Sequence, residues 1–100
     1  MKALKFTWDD SKNTSNQKKH GVSFDEAKSV FDDEYGRLIL APDHSEEKEE
    51  RFILLGLSSN YRLLLVCHCY REEGETIRMI SARKANRTEE KQYGGFKYER

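Results

Sequence analysis

The chain has 100 residues, 36% of them hydrophobic and 36% charged, with 18 Lys+Arg balanced by 18 Asp+Glu. That length excludes a second core, and that composition allows only a thin one, a single sheet covered by a few helices. No apolar run approaches the ~20 residues that span a bilayer, and aromatics at 11% supply too much burial for a disordered chain.

The zero net charge hides an asymmetry. Residues 1–50 hold 8 Lys+Arg against 12 Asp+Glu, a balance of −4, and residues 51–100 hold 10 against 6, a balance of +4. The basic half is rich in arginine, which suits bidentate contact with phosphate. One reading is an anionic partner on one face; the other is two solvated surfaces of opposite sign. No apolar signal region follows Met1-Lys2-Ala3-Leu4-Lys5. The expectation is a cytoplasmic protein with one domain over 1–100, in which 1–5 and 94–100 are flexible ends.

In chain order, Phe6-Thr7-Trp8 predicts a short strand, and Asp9-Asp10-Ser11 offers N-caps for a helix over Lys12 to His20 that Gly21 stops. Lys12, Asn16, Lys19 and His20 fall on one face of that helix. Ser23-Phe24-Asp25-Glu26 has the spacing of a capping box, with Val22, Phe24, Ala27, Val30 and Phe31 as the core face of a second helix. Arg37 to Ala41 predicts a strand closed by Pro42, and 43–50 an acidic loop. Strands are then expected over Arg51–Leu57, Tyr61–Tyr70 and Thr76–Ala82, separated by the turn signals Ser58-Ser59-Asn60 and Glu72-Glu73-Gly74-Glu75. Asn86 or Thr88 can cap a last helix, which Gly94-Gly95 ends. The short turns imply an antiparallel meander. The fold class expected is α+β: an antiparallel sheet meander with two N-terminal helices and a C-terminal helix. Ile53-Leu54-Leu55 and Leu63-Leu64-Leu65-Val66 are apolar on both faces, so the face without the N-terminal helices also needs a cover, from the last helix or a partner chain.

The segment Ile77–Ala85 places three cations, Arg78, Arg83 and Lys84, on an otherwise apolar strand. Strict alternation puts Arg78 and Arg83 on opposite faces. The two can point into one groove only if the strand ends near Ala82, so Arg83 with Lys84 at the strand–helix junction is the preferred pair, with Arg78 open to either surface. Cys67-His68-Cys69 puts both thiols on one face and the imidazole on the other, a poor arrangement for tetrahedral zinc. Buried reduced thiols are the better reading, with a zinc protein as a competing one.

Taken together, several strings resemble one family. They are Phe6-x-Trp8-Asp9, Lys12-x-x-x-Asn16-x-x-Lys19-His20-Gly21-Val22-Ser23-Phe24, Asp43-His44-Ser45 with Glu50-Arg51-Phe52, and Ile77-Arg78-x-Ile80-Ser81-Ala82-Arg83-Lys84-Ala85 with Tyr93. In combination and order they look like the BrnT family, the toxin half of a bacterial type II toxin–antitoxin pair, from about Phe6 to Tyr93. Thr7 and the 94–100 tail depart from the pattern. The resemblance implies a RelE-like fold and a ribonuclease that arrests translation. It also implies a cognate BrnA-type antitoxin with a ribbon-helix-helix domain, through which alone the toxin would meet operator DNA.

Metal-free RNA cleavage needs a base for the 2′-hydroxyl, an acid for the leaving 5′-oxygen, and cations for the phosphorane-like charge. No cofactor or metal is called for. The catalytic candidates are His20, Arg83, Lys84, Arg78 and Glu50. Histidine is the residue type whose intrinsic chemistry best suits proton transfer near neutral pH, which makes His20 the acid or base candidate, although it could equally cap helix carbonyls, and His44 is a further imidazole. Lys12, Lys19, Arg51, Arg62 and Arg71 are candidates for binding RNA. Tyr93 could stack on a base or simply anchor the last helix. The competing function is a non-enzymatic module whose basic groove holds an acidic partner segment.

Overall fold

The structure, a computed structural model, describes residues 4–40, 50–71 and 74–93. The acidic loop over 43–49, His44 within it, and the tail over 94–100 lie outside the described residues. Among those described, no helix is long and apolar enough to cross a membrane.

Chain order is β1 (Lys5–Thr7), α1 (Asp10–His20), α2 (Phe24–Ser29) running into a 3-10 turn (Val30–Asp32), β2 (Arg37–Leu40), β3 (Phe52–Leu57), β4 (Leu63–Arg71), β5 (Thr76–Lys84) and α3 (Arg87–Glu90). Both termini of α1 have a local cause. The Asp9 carboxylate accepts from the N–H groups of Ser11 and Lys12, and Gly21 ends the helix at φ +70°, a left-handed conformation that glycine adopts without strain. Ser23 Oγ accepts from Glu26 N at 3.1 Å to start α2. The expected capping box is only half made there. Glu26 does not reach back to the cap but turns to Ser58 and Arg62. A complete box does form at α3, where Asn86 and Glu89 each bond the other's backbone N–H.

The sheet order is β1-β5-β4-β3-β2. Strands β2 to β5 form the expected antiparallel meander. β1 joins β5 in parallel at the outer edge, pairing only with Thr76 to Arg78. A three-residue strand carries no signal for that pairing. One face packs on α2 and its 3-10 turn through Val22, Phe24, Ala27, Val30, Leu64, Val66, Ile77, Met79 and Ala82, with Phe6, Trp8, Phe31 and Leu54 at its margin. The turn approaches β3 so closely that a Cβ on Gly56 would stand 2.6 Å from a Val30 methyl. The second face carries Leu55 and Leu65 beneath Tyr93, with Ile53, Leu57, Leu63 and Ala85 beside them. The chain after α3 therefore supplies part of the cover that the two-sided apolar strands require.

β5 contains the irregularity that matters most. Cys67 pairs with Ser81, but His68 pairs with Met79, so Ile80 is an extra residue with no partner on β4. A bulge of this kind shifts the side-chain alternation by one. Ile77 and Met79 face the helices before it, and Ala82 faces them after it.

Candidate functional site

The bulge reverses the expectation for the cations. Arg78 and Arg83 lie on the same face of the sheet, the one away from α2, because the alternation slips at Ile80. The strand also continues through Lys84 instead of stopping near Ala82. Arg83 and Lys84 therefore point to opposite sides and do not form one cation pair. The parity argument failed because it assumed an unbroken strand.

Arg83 lines a cavity of about 210 Å³ together with His20, Ile53, Leu65, Cys67, Ser81 and Ala82. His20, the last residue of α1, and Arg83, near the end of β5, are 63 positions apart and share this cavity. Its floor is aliphatic, with a hydroxyl and a thiol on one wall. Burial pushes the Cys67 thiol up, and this outweighs the Arg51 charge and the Ser81 hydroxyl, which both favour thiolate. Arg51 therefore lies within electrostatic reach of the cavity wall. Cys67 and Cys69 are reduced thiols. His68, on the opposite face, is fully buried among Phe31, Phe52 and Tyr70. Among the described residues, no three His, Cys, Asp or Glu side chains group as metal ligands.

Glu89 holds Arg83 in a bidentate pair, with Nη1 donating to Oε1 at 2.8 Å and Nη2 to Oε2 at 2.7 Å. The guanidinium holds the Glu89 carboxyl below its ordinary range. Glu89 is not among the candidates that the sequence singles out. Its usable signal was the Asn86-x-x-Glu89 spacing, which ties this carboxylate to the residues that follow β5.

The remaining candidates divide. Lys12 and Lys19 are exposed on α1, and Lys84 is exposed at the end of β5. Arg71 lies at the far end of β4, four residues or roughly 13 Å along the strand from Cys67. Glu50 is exposed just before β3 and is not among the described residues that line the cavity. Arg62 is not directed at the cavity. It bonds Glu26 through Nε at 2.8 Å, makes a second very short contact through Nη2, and donates to Gly21 O at 3.0 Å. The Arg62 hydrogen bonds hold the Glu26 carboxyl below its ordinary range against the opposing effect of burial. Tyr93 is 4% exposed, and its hydroxyl donates to the Asp33 carboxylate. That buried ring offers no face for a base to stack on, so the anchoring alternative describes its position. The Asp33 carboxyl is raised by burial but lowered more by the Leu57 N–H, Tyr93 and the Tyr35 N–H, and it remains below its ordinary range.

Asn16 shares a helix face with Lys12, Lys19 and His20 in the sequence and stands in the motif that carries the resemblance, with no role assigned to it. It is 6% exposed, and its amide is fully engaged. Nδ2 donates to Val22 O at 2.8 Å and to Ala82 O at 2.9 Å, and Oδ1 accepts from Ala82 N at 3.0 Å.

Comparison with known proteins gives the family. Residues 8–89 match the model of the ribonuclease toxin BrnT of type II toxin–antitoxin systems. The crystal structure of the Brucella abortus ribonuclease toxin BrnT superposes with a TM-score of 0.62 at 21% identity, covering 85% of this chain and 100% of that one. That likeness speaks for the α+β fold. The comparison with curated proteins finds no match. With the matched segment running from Trp8, ahead of α1, to Glu89 in α3, the chain belongs to the BrnT family of ribonuclease toxins of type II toxin–antitoxin systems.

Proposed function

We propose that this toxin cleaves RNA without a metal ion and that the scissile phosphodiester sits over the cavity between α1 and β5. The observation that carries the reading is that His20 and Arg83 line one cavity. Arg83 supplies fixed positive charge where the phosphorane-like oxygens develop. His20 moves a proton, either from the attacking 2′-hydroxyl or to the leaving 5′-oxygen. The 2′-oxygen to phosphorus bond forms as the bond from phosphorus to the 5′-oxygen breaks. The products are a 2′,3′-cyclic phosphate and a free 5′-hydroxyl. Arg78 and Arg51, on the same side of the sheet by alternation, extend the positive surface along which RNA lies. The exposed Lys12 and Lys19 add charge on α1.

In this proposal the antitoxin is of the BrnA type, with a ribbon-helix-helix domain that alone contacts operator DNA, and the site of action is the cytoplasm. The test is cleavage of single-stranded RNA in EDTA by wild type, His20→Ala and Arg83→Ala. Wild type is expected to cleave, and each variant to lose about tenfold or more in rate. Cleavage abolished by EDTA and restored by a divalent ion overturns the metal-free route. Undiminished cleavage in both variants overturns the site.

A further inference from the structure

The two catalytic candidates that line the cavity come from elements that share no ladder. α1 brings His20, and β5 brings Arg83. Beyond Arg78, β1 no longer pairs with the outer side of β5. After the bulge, the N–H and C=O of Ala82 are directed to α1, and the Asn16 side chain meets both. The amide takes the place of a neighbouring strand for one residue, accepting the N–H and donating to the C=O. Its second N–H goes to Val22 O, just past the end of α1. One buried side chain thus fastens the residue before Arg83 to the residue two after His20.

Other tethers of α1 run elsewhere. Asn13 Oδ1 accepts from Phe24 N at 2.9 Å, which ties α1 to α2, and Gly21 O accepts from Arg62, which ties it to the start of β4. Neither of these two contacts is made to β5 itself, as the Asn16 contact is. The chemistry of the contact also selects the residue type. Two carbonyls and one N–H converge, and they require two donors and one acceptor in one plane, which a short carboxamide provides. An ionised Asp offers no donor, a Leu offers nothing polar, and a Gln is one methylene too long for the gap.

We propose that Asn16 is a positioning residue for RNA cleavage: it holds α1 on the bulged end of β5 in the register that brings His20 and Arg83 to one cavity. The proposal rests on the reading that these two side chains act on RNA. Asn16 does not line the cavity, so it acts through His20 and touches no substrate. Displacements of about 1 Å at a reacting group cost up to about 100-fold in rate, so a slip of α1 should be read mainly in the cleavage step.

The experiment uses the full chain and one single-stranded RNA. It compares Asn16→Ala, Asn16→Asp and Asn16→Gln, each alone and combined with His20→Ala. Single-turnover rate and RNA affinity are measured well below each variant's unfolding midpoint. Asn16→Gln retains every hydrogen-bonding group and is the variant chosen to survive folding. In the wild-type background, each folded Asn16 variant is expected to lose about tenfold or more in rate, with RNA affinity changed by less than about threefold. In the His20→Ala background, the same substitution should cost less than about threefold, because the group it misplaces is already gone. Equal losses in the two backgrounds, a folded variant that cleaves at the wild-type rate, or failure of all three variants to fold would overturn the proposal and leave Asn16 a core residue. A His20→Ala protein that cleaves at the wild-type rate strikes the site reading itself and takes the positioning role with it.

Discussion

The two faces of the sheet are built on different terms. On the α2 side, Phe24, Val30, Leu64 and Val66 are completely buried, and a glycine admits the 3-10 turn against β3. On the other side, the aliphatic carpet of Ile53, Leu55, Leu57, Leu63 and Leu65 is covered in part by Tyr93 and opens to the cavity where Arg83 and His20 stand. The closed face holds the chain together. The open face leaves part of its apolar area at the cavity. Substitutions on the first should therefore act through stability, and those beside the cavity through chemistry.

That division is tested most severely at Phe24. Phe24→Ala is expected to destabilise by about 3–5 kcal/mol, read as a lower midpoint in urea. Ser81→Ala on the cavity wall should change stability, read in the same way, by less than about 0.5 kcal/mol. Equal losses at the two sites would erase the distinction between the faces. Next comes Gly56→Ala, which must push the 3-10 turn off β3 and should cost about 1–3 kcal/mol. A neutral result there would mean that the turn is free to shift.

A pH experiment separates the faces in another way. Burial pushes the His68 imidazole down from 6.5 in the closed face. Below that unfolded value the denatured chain binds a proton that the native chain refuses, so stability falls as pH drops from about 6.5 toward the native value. His68→Leu should flatten this part of the stability profile between pH 7 and 5; a profile with the same slope in the variant rules His68 out as its source. Glu26 and Glu89 act lower. Their carboxyls are held below the ordinary 4.5, so their contribution is present above that pH and is lost as pH falls toward the native values. A small effect is expected at Glu89→Gln. Its pair with Arg83 is partly exposed, with side chains 22% and 45% accessible, and should be worth about 0–1 kcal/mol, fading with added salt.

Local chemistry made much of this molecule legible in the sequence. Among the candidate helix boundaries the structure uses Asp9, Ser23 and Asn86 through their side-chain hydrogen bonds and Gly21 through its left-handed backbone. The meander followed from turn residues, and the core face of α2 from its spacing. The misses depended on contacts between distant segments. Period two does not register an inserted residue, so it separates Arg78 from Arg83 and favours pairing Arg83 with Lys84. Glu26 looked like the far half of a capping box because spacing cannot show that Arg62, 36 positions later, comes within reach. Asn16 looked like one polar residue among many on α1. Its partner is a backbone pair on β5, and backbone atoms leave no trace in composition.

Ile80 also bears on how this fold tolerates change. Most surface positions can be exchanged one residue at a time, but a bulge is a difference in length that no exchange can undo. Deleting Ile80 would put β5 back on strict alternation with every pair to β4 kept, so that Met79 and Ser81 became neighbours, Ala82 still faced the helices and Arg83 still faced the cavity. What would go is the local bend and added twist that a bulge gives its strand. Ile80 works as a shim, whose thickness counts for more than its composition. Ile80→Val should therefore be nearly silent, whereas removing the residue should change the angle at which the end of β5 presents Arg83 while leaving Thr76 to Met79 in register with β1 and β4.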